Sequence, residues 1–241
     1  MALPKIDAPV YEVELPLSKK KLRYRPFLVK EQRNLLMAME SKEYDTIEKN
    51  IKQVLHNCTL TENINFDDLP VVDIEFFFLQ LRAKSVGEVT ENKYICNNVV
   101  DGIECGNTME VNINLLEIEV EKDDSVSDTI KLNSQYTIKM NYPKFSIVNR
   151  AGSIENINDF AFEMIADSIE YIHDGEQFYY GKDATKQELI DFVEQLNQEQ
   201  FSKLEEFFSN LPKLKKVFDV TCSKCKHNHH IEVEGLESFF G

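Results

Sequence analysis

Four of the five cysteines in this chain fall into two pairs with the spacing of metal knuckles. Cys96 and Cys105 lie in YICNNVVDGIECGN (94–107), and Cys222 and Cys225 in VTCSKCKHNHH (220–230). Each pair occupies a turn-like stretch flanked by β-prone residues. Two such turns, each offering two thiolates to one tetrahedral ion, make a zinc ribbon. The Cys-x2-Cys pair has rubredoxin-type spacing. The other interval, Cys-x8-Cys, is longer than usual, but Gly106 after Cys105 lets backbone N–H groups turn toward sulfur. Asn97, Asn98, Asp101 and Gly102 can form a small turn inside an extended knuckle.

The expected ligands are therefore Cys96, Cys105, Cys222 and Cys225, around one structural zinc. The residues leave three alternatives open: His227, His229 or His230 replacing one cysteine, an iron–sulfur cluster, and unrelated free thiols. Four thiolates leave no open position for water or substrate, so such a site holds structure and does no catalysis. Cys58 sits on the apolar side of a helical stretch and reads as a packing residue. Residues 106–221, 116 positions, separate the two pairs. Closing that loop costs roughly 4–5 kcal/mol of chain entropy, whereas a structural zinc supplies on the order of 10–16 kcal/mol.

The elements that must position these knuckles follow from periodicity. Residues 10–16 alternate apolar and polar, a lysine-rich turn follows, and 22–27 is strand-like; together they predict a hairpin. Helical spacing covers 29–40, 43–58 and 71–84. The period then changes to two in 89–95, 108–121 and 129–142. Helices return at 158–172, at the segment opened by a Thr185/Glu188 capping box, and at about 198–210. Strand-like 216–221 enters the second knuckle and 230–234 leaves it. The expected fold class is α+β: a β-hairpin with helices over 1–88, a split zinc ribbon from 89–118 with 215–235, a strand-then-helix insertion over 119–214, and an aromatic tail over 236–241.

Composition narrows the function classes. With 42% hydrophobic residues the chain can bury a real core. It holds no apolar run long enough to span a membrane, and the first seven residues lack the core of a signal peptide. A cytoplasmic, reduced setting is expected, where paired cysteines favour metal over disulfide. The net charge of −15, from 42 acidic and 27 basic residues, argues against sequence-independent nucleic-acid binding and favours protein partners.

No Gly-rich phosphate loop, Gly-x-Ser-x-Gly elbow or His-Glu-x-x-His is present, so no enzyme is expected. The basic run 19–25 suits a protected edge strand. Its Arg23 and Arg25 are also candidates for docking an acidic partner, and Phe239 and Phe240 for anchoring a subunit.

Several segments together carry a family resemblance: RYRPFLVKEQRNLLMAMES (23–41), QVLHNC (53–58), FFFLQLRAKSVG (76–87), IKMNYPKF (138–145), both knuckles and GLESFF (235–240). They resemble the baseplate hub subunits and hub-assembly proteins of T-even-like contractile-tailed bacteriophages, over most of the chain. The resemblance implies a non-enzymatic virion-assembly role in the tail baseplate, through contacts with other baseplate or tail proteins. It implies a place in the virion, or in the host cytoplasm during assembly. The matching cysteines are read as zinc ligands. Three other readings remain. One is an assembly chaperone for a tail-length or hub protein, absent from the mature virion. Another is a zinc-ribbon adaptor in transcription or RNA processing. The last is a hydrolase acting at the hub, for which no converging titratable pair is visible.

Overall fold

A computed structural model describes residues 6–41, 44–147 and 157–235. Phe239 and Phe240 lie outside the described residues. Strands β1 (Tyr11–Glu14) and β2 (Lys21–Tyr24) form the expected hairpin, in the register Tyr11↔Tyr24 to Glu14↔Lys21. Strict alternation buries Leu22 and Tyr24 and leaves Lys21 and Arg23 outside. Helices α1 (Val29–Ser41), α2 (Tyr44–Cys58) and α3 (Val71–Val86) follow. The hairpin packs against α2 and α3 in one core, where Tyr24 meets Phe77 edge-on at 5.4 Å and Phe66 stacks on Phe77 at 6.1 Å.

Helix α3 is apolar nearly all round because it serves two cores. Ile74, Phe77 and Leu81 face the hairpin core, while Leu79 and Ala83, with Phe76, enter a second core with Val111, Ile113, Leu214 and Val233. That division explains the Phe76–Phe78 run.

Within the first core Arg25 is engaged internally. Its guanidinium bonds Glu31 at 3.0 Å and the Pro26 carbonyl at 2.9 Å, and lies 3.7 Å from the Cys58 sulfur. Burial pushes the Glu31 carboxyl up, but the Arg25 hydrogen bond and the Leu28 N–H together hold it below its ordinary value. Burial drives the Cys58 thiol up to about 11, as befits a packing residue. A depressed carboxylate stabilises the fold above its unfolded value of 4.5 and loses that contribution as pH falls through the folded one. Glu31→Gln should therefore cost about 2–3 kcal/mol at pH 7, leaving Arg25 unpaired. The gap from wild type should narrow below pH 4.5 in urea titrations run across pH. A gap independent of pH would refute the charge argument.

The strands that flank the two cysteine pairs are β3 (Val89–Ile95) with β6 (Thr108–Asn114), and a separate sheet of β13 (Asn228–Glu234), β12 (Lys213–Thr221) and β7 (Glu119–Glu121) in that order. Between β3 and β6 stands a small hairpin, β4 (Val99–Val100) with β5 (Ile103–Glu104). A second sheet-and-helix layer follows, with strand order β11-β10-β9-β8. Its members are β8 (Thr129–Lys131), β9 (Thr137–Met140), β10 (Ile169–His173) and β11 (Phe178–Tyr180). The inner face of this sheet, with Ile130, Ile138 and Ile172, packs on α4 (Ile157–Ser168), α5 (Lys186–Glu194) and α6 (Gln198–Ser209). The Thr185/Glu188 capping box opens α5 as expected, and an Asn197/Gln200 box opens α6.

Mixed helix and sheet fits the α+β class, but three elements differ from the periodicity reading. Residues 158–172 are not one helix: α4 stops at Ser168 and 169–173 is strand β10. Asn141 N–H takes the Ser168 carbonyl at 2.7 Å. A bulge between Ile169 and Tyr171 lets Ile169 and Ile172 both face the core, which imitates helical i, i+3 spacing. Residues 129–142 are two strands, because Asn133 Oδ1 accepts the N–H groups of Gln135 and Tyr136 and closes a turn. Residues 108–121 break at a 3-10 turn, Leu115–Glu117, capped by Asn114. Strand β11 was not foreseen; Gly181 beyond it passes so close to the Ile169 carbonyl that a Cβ would sit 2.2 Å from that oxygen.

Candidate metal centre

The strands bring the two cysteine pairs together although the chain between them is long. The Sγ atoms of Cys96, Cys105, Cys222 and Cys225 all lie within 4.8 Å of one another. Cys96 and Cys222 are fully buried, Cys105 nearly so, and Cys225 half-buried. Cys96 Sγ lies 3.6 Å from Cys225 Sγ, and Cys105 Sγ 3.8 Å from Cys222 Sγ. Disulfides need about 2.05 Å. Sulfurs around a tetrahedral ion with bonds of about 2.3 Å are separated by about 3.8 Å. The donor set thus fits one ion with four thiolate ligands.

The two knuckles share one backbone pattern. In the second, Lys226 N–H bonds the Cys222 carbonyl at 3.0 Å and Cys222 N–H bonds the His227 carbonyl at 2.8 Å. In the first, Gly106 N–H bonds the Cys96 carbonyl at 3.0 Å and Cys96 N–H bonds the Asn107 carbonyl at 2.8 Å. Gly106 and Lys226 occupy the same left-handed position, with φ of 62° each. Cys105 N–H also bonds the Asn98 carbonyl at 2.8 Å. The chain therefore leaves at Asn98, runs out and back through β4 and β5, and resumes at Cys105. Without residues 99–104 the first pair would read Cys-Asn-Asn-Cys, the spacing of the second. The Asp101-Gly102 turn, with φ of 52° and 80°, closes that excursion as a two-residue hairpin.

The sulfurs are surrounded by donors. The N–H groups of Cys225 and Lys224 point at Cys222 Sγ and hold its thiol down to about 6. The His227 N–H does the same for Cys225, whose thiol is also lowered. Burial pushes Cys96 up to about 12, opposed by the Asn98 N–H. A bound cation favours the thiolate at every position, so metal binding would release protons here. Side-chain amides cross between the knuckles: Asn98 Nδ2 reaches Cys225 Sγ at 3.6 Å and Asn107 Nδ2 reaches Cys222 Sγ at 3.5 Å. Lys224 Nζ bonds the Cys105 carbonyl at 3.0 Å.

Of the three candidate histidines, His229 Nε2 touches Cys96 Sγ at 3.1 Å. It orients a sulfur from outside the four-cysteine group, which needs no histidine to complete it. His230 faces outward to Asp219 at 3.0 Å, and His227 packs against the His229 ring. Periodicity and spacing did not single out Asn107 or Lys224; polar residues beside a knuckle carry no pattern that reveals a cross-chain contact.

The remaining candidates lie apart from the cysteines. Arg23 is on the exposed face of β2, 3.7 Å from Glu12, and Arg25 is held inside by Glu31. A cavity of about 660 Å³ beside α5 is lined by Tyr136, Asp174, Tyr179, Asp183, Glu188 and Phe192, among others. Asp174 accepts the Glu176 and Gln177 N–H groups, and Glu188 the Thr185 N–H and hydroxyl. Those bonds hold both carboxyls below their ordinary range, which suits turn and cap residues and not proton donors.

No described helix is long and apolar enough to cross a membrane. A family model described as T4 bacteriophage base plate protein matches residues 8–241. No curated protein and no solved structure matches significantly.

Proposed function

The chain belongs to the T4 bacteriophage base plate protein family, and on that premise we propose that it is a non-enzymatic structural or assembly component of the hub region of a contractile tail. It acts through contacts with other baseplate or tail proteins, in the virion or in the host cytoplasm during assembly. Its ribbon is pinned by one zinc ion held by Cys96, Cys105, Cys222 and Cys225. The family match over nearly the whole chain is the observation that carries this reading. The closed four-thiolate geometry supports a structural ion, and soft thiolates in tetrahedral array favour zinc.

The net charge of −15 supports protein partners over nucleic acid. The division into a hairpin-and-helix part, a split ribbon and an insertion fits a rigid part built to be held at several points. Arg23, on the exposed strand face, and Phe239 with Phe240 are the contact residues we propose alongside it.

The test is to follow the chain by mass spectrometry through purified baseplate intermediates, completed tails and virions of the encoding phage. A component is found in tails and virions. An assembly chaperone is found in intermediates and lost from virions. Absence of the chain from all three fractions of the encoding phage, together with normal tails from a phage lacking the gene, would overturn the reading.

A further inference from the structure

The hairpin of β4 and β5 serves neither the metal nor the core. The first knuckle completes its hydrogen bonds without it, as the match with the second knuckle shows. All six residues 99–104 are exposed. Adjacent strand residues point to opposite faces, yet Val99 and Val100 are 58% and 45% exposed, so the hairpin stands clear of the body on both sides. Ile103 is 73% exposed, and Ile95, just before the first ligand, is 74% exposed. Burial therefore gives no reason for four branched aliphatic side chains at this end of the ribbon, and exposed apolar groups gathered in one place mark contact surfaces.

The hairpin is also stiff. The Asn98–Cys105 bond closes its base, the ligand sulfurs on either side anchor it, and the Asp101-Gly102 turn fixes its tip. A preformed projection loses little freedom on docking. Its charge is one-sided: Asp101 and Glu104 are acidic, and residues 95–107 contain no cation.

We propose that this hairpin is a docking element that seats Val99, Val100 and Ile103 in an apolar cleft bordered by lysine or arginine on another baseplate protein. The apolar surface calls for a cleft and the two carboxylates for a basic rim. The proposal rests on the function given above and specifies its contact.

Deleting residues 99–104 joins Asn98 to Cys105 and leaves two Cys-x2-Cys knuckles. The shortened chain should keep one metal ion per chain by elemental analysis and an unchanged circular dichroism spectrum. In the encoding phage it should lower the yield of infectious particles by about 100-fold, the loss of a contact with central anchor residues. The double variant Val100→Ser with Ile103→Ser keeps the backbone and should behave alike. Reversing Asp101→Lys with Glu104→Lys should lower the yield by about tenfold.

A photo-crosslinking amino acid at position 103 should join, in assembling tails, to an apolar segment of another baseplate protein that carries lysine or arginine nearby. Wild-type yield from the deletion, or cross-links confined to a second copy of this chain, would overturn the inference. Wild-type yield with the shortened chain still present in intermediates or tails leaves the baseplate reading standing; absence of the intact chain from both intermediates and tails, with normal assembly without its gene, removes that reading itself.

Discussion

Cys222→Ser is expected to lower bound metal from one ion per chain to near none and to release the β12–β13 sheet from β3 and β6. A serine hydroxyl does not ionise at neutral pH and is a poor ligand for a soft site. Cys222 is fully buried, and two backbone N–H groups aim at its sulfur, so no water or neighbouring carboxylate replaces it easily. A structural zinc site contributes on the order of 10–16 kcal/mol. Losing one of four ligands forfeits several of these, about as much as closing the long intervening loop costs, roughly 4–5 kcal/mol.

The expected signature is local. Amides of 213–221 and 228–234 should exchange faster with deuterium, while helices α5 and α6 keep their protection, because their core with the four-stranded sheet contains none of the ligands. Cys58→Ser, in the hairpin core, should leave metal content unchanged. Full occupancy in both Cys222→Ser and Cys225→Ser would eliminate the site.

The gathering of the four cysteines was legible in the sequence because cysteine spacing is a local signal whose chemistry has few alternatives. Even the long first interval was readable as a turn, through Asp101 and Gly102. Its equivalence to the second knuckle was not, since this depends on where the Asn98 carbonyl and the Gly106 N–H point. The capping box at Thr185 and Glu188 was likewise local and came through intact.

The misread elements share one physical cause. Helical and strand periods are distinguishable only while the chain is regular. A bulge at Glu170 gave β10 a helix-like spacing, and Asn133 turned the chain in mid-run by bonding its own backbone. The aromatic run at 76–78 could be assigned to a helix but not to two cores, because which core a face meets is decided by elements far away in sequence.

Asp73 is the clearest instance of such a distant decision, and its removal should have the second large effect. It lies in the first turn of α3, where an acidic residue is unremarkable because it complements the helix dipole. Instead of facing solvent it is fully buried. Its two oxygens accept the N–H groups of Leu17 and Ser18, each at 2.8 Å, in the loop between β1 and β2. The carboxylate therefore clamps the hairpin onto the helix that also packs under β6, β12 and β13.

Charge-assisted bonds to backbone donors contribute about 1.5–3 kcal/mol each, and orphaned buried donors keep their desolvation cost. Asp73→Ala should accordingly destabilise the protein by about 3–5 kcal/mol, seen as a lower urea midpoint at unchanged slope. Asp73→Asn should recover only part of this, since one amide oxygen serves one N–H and the NH2 group opposes the other. Metal content should stay at one ion per chain in both variants, because the sulfurs lie on other elements. Amides of 11–24 should lose protection first. A loss under about 1 kcal/mol in Asp73→Ala would mean that water satisfies the loop and that the hairpin core alone positions α3.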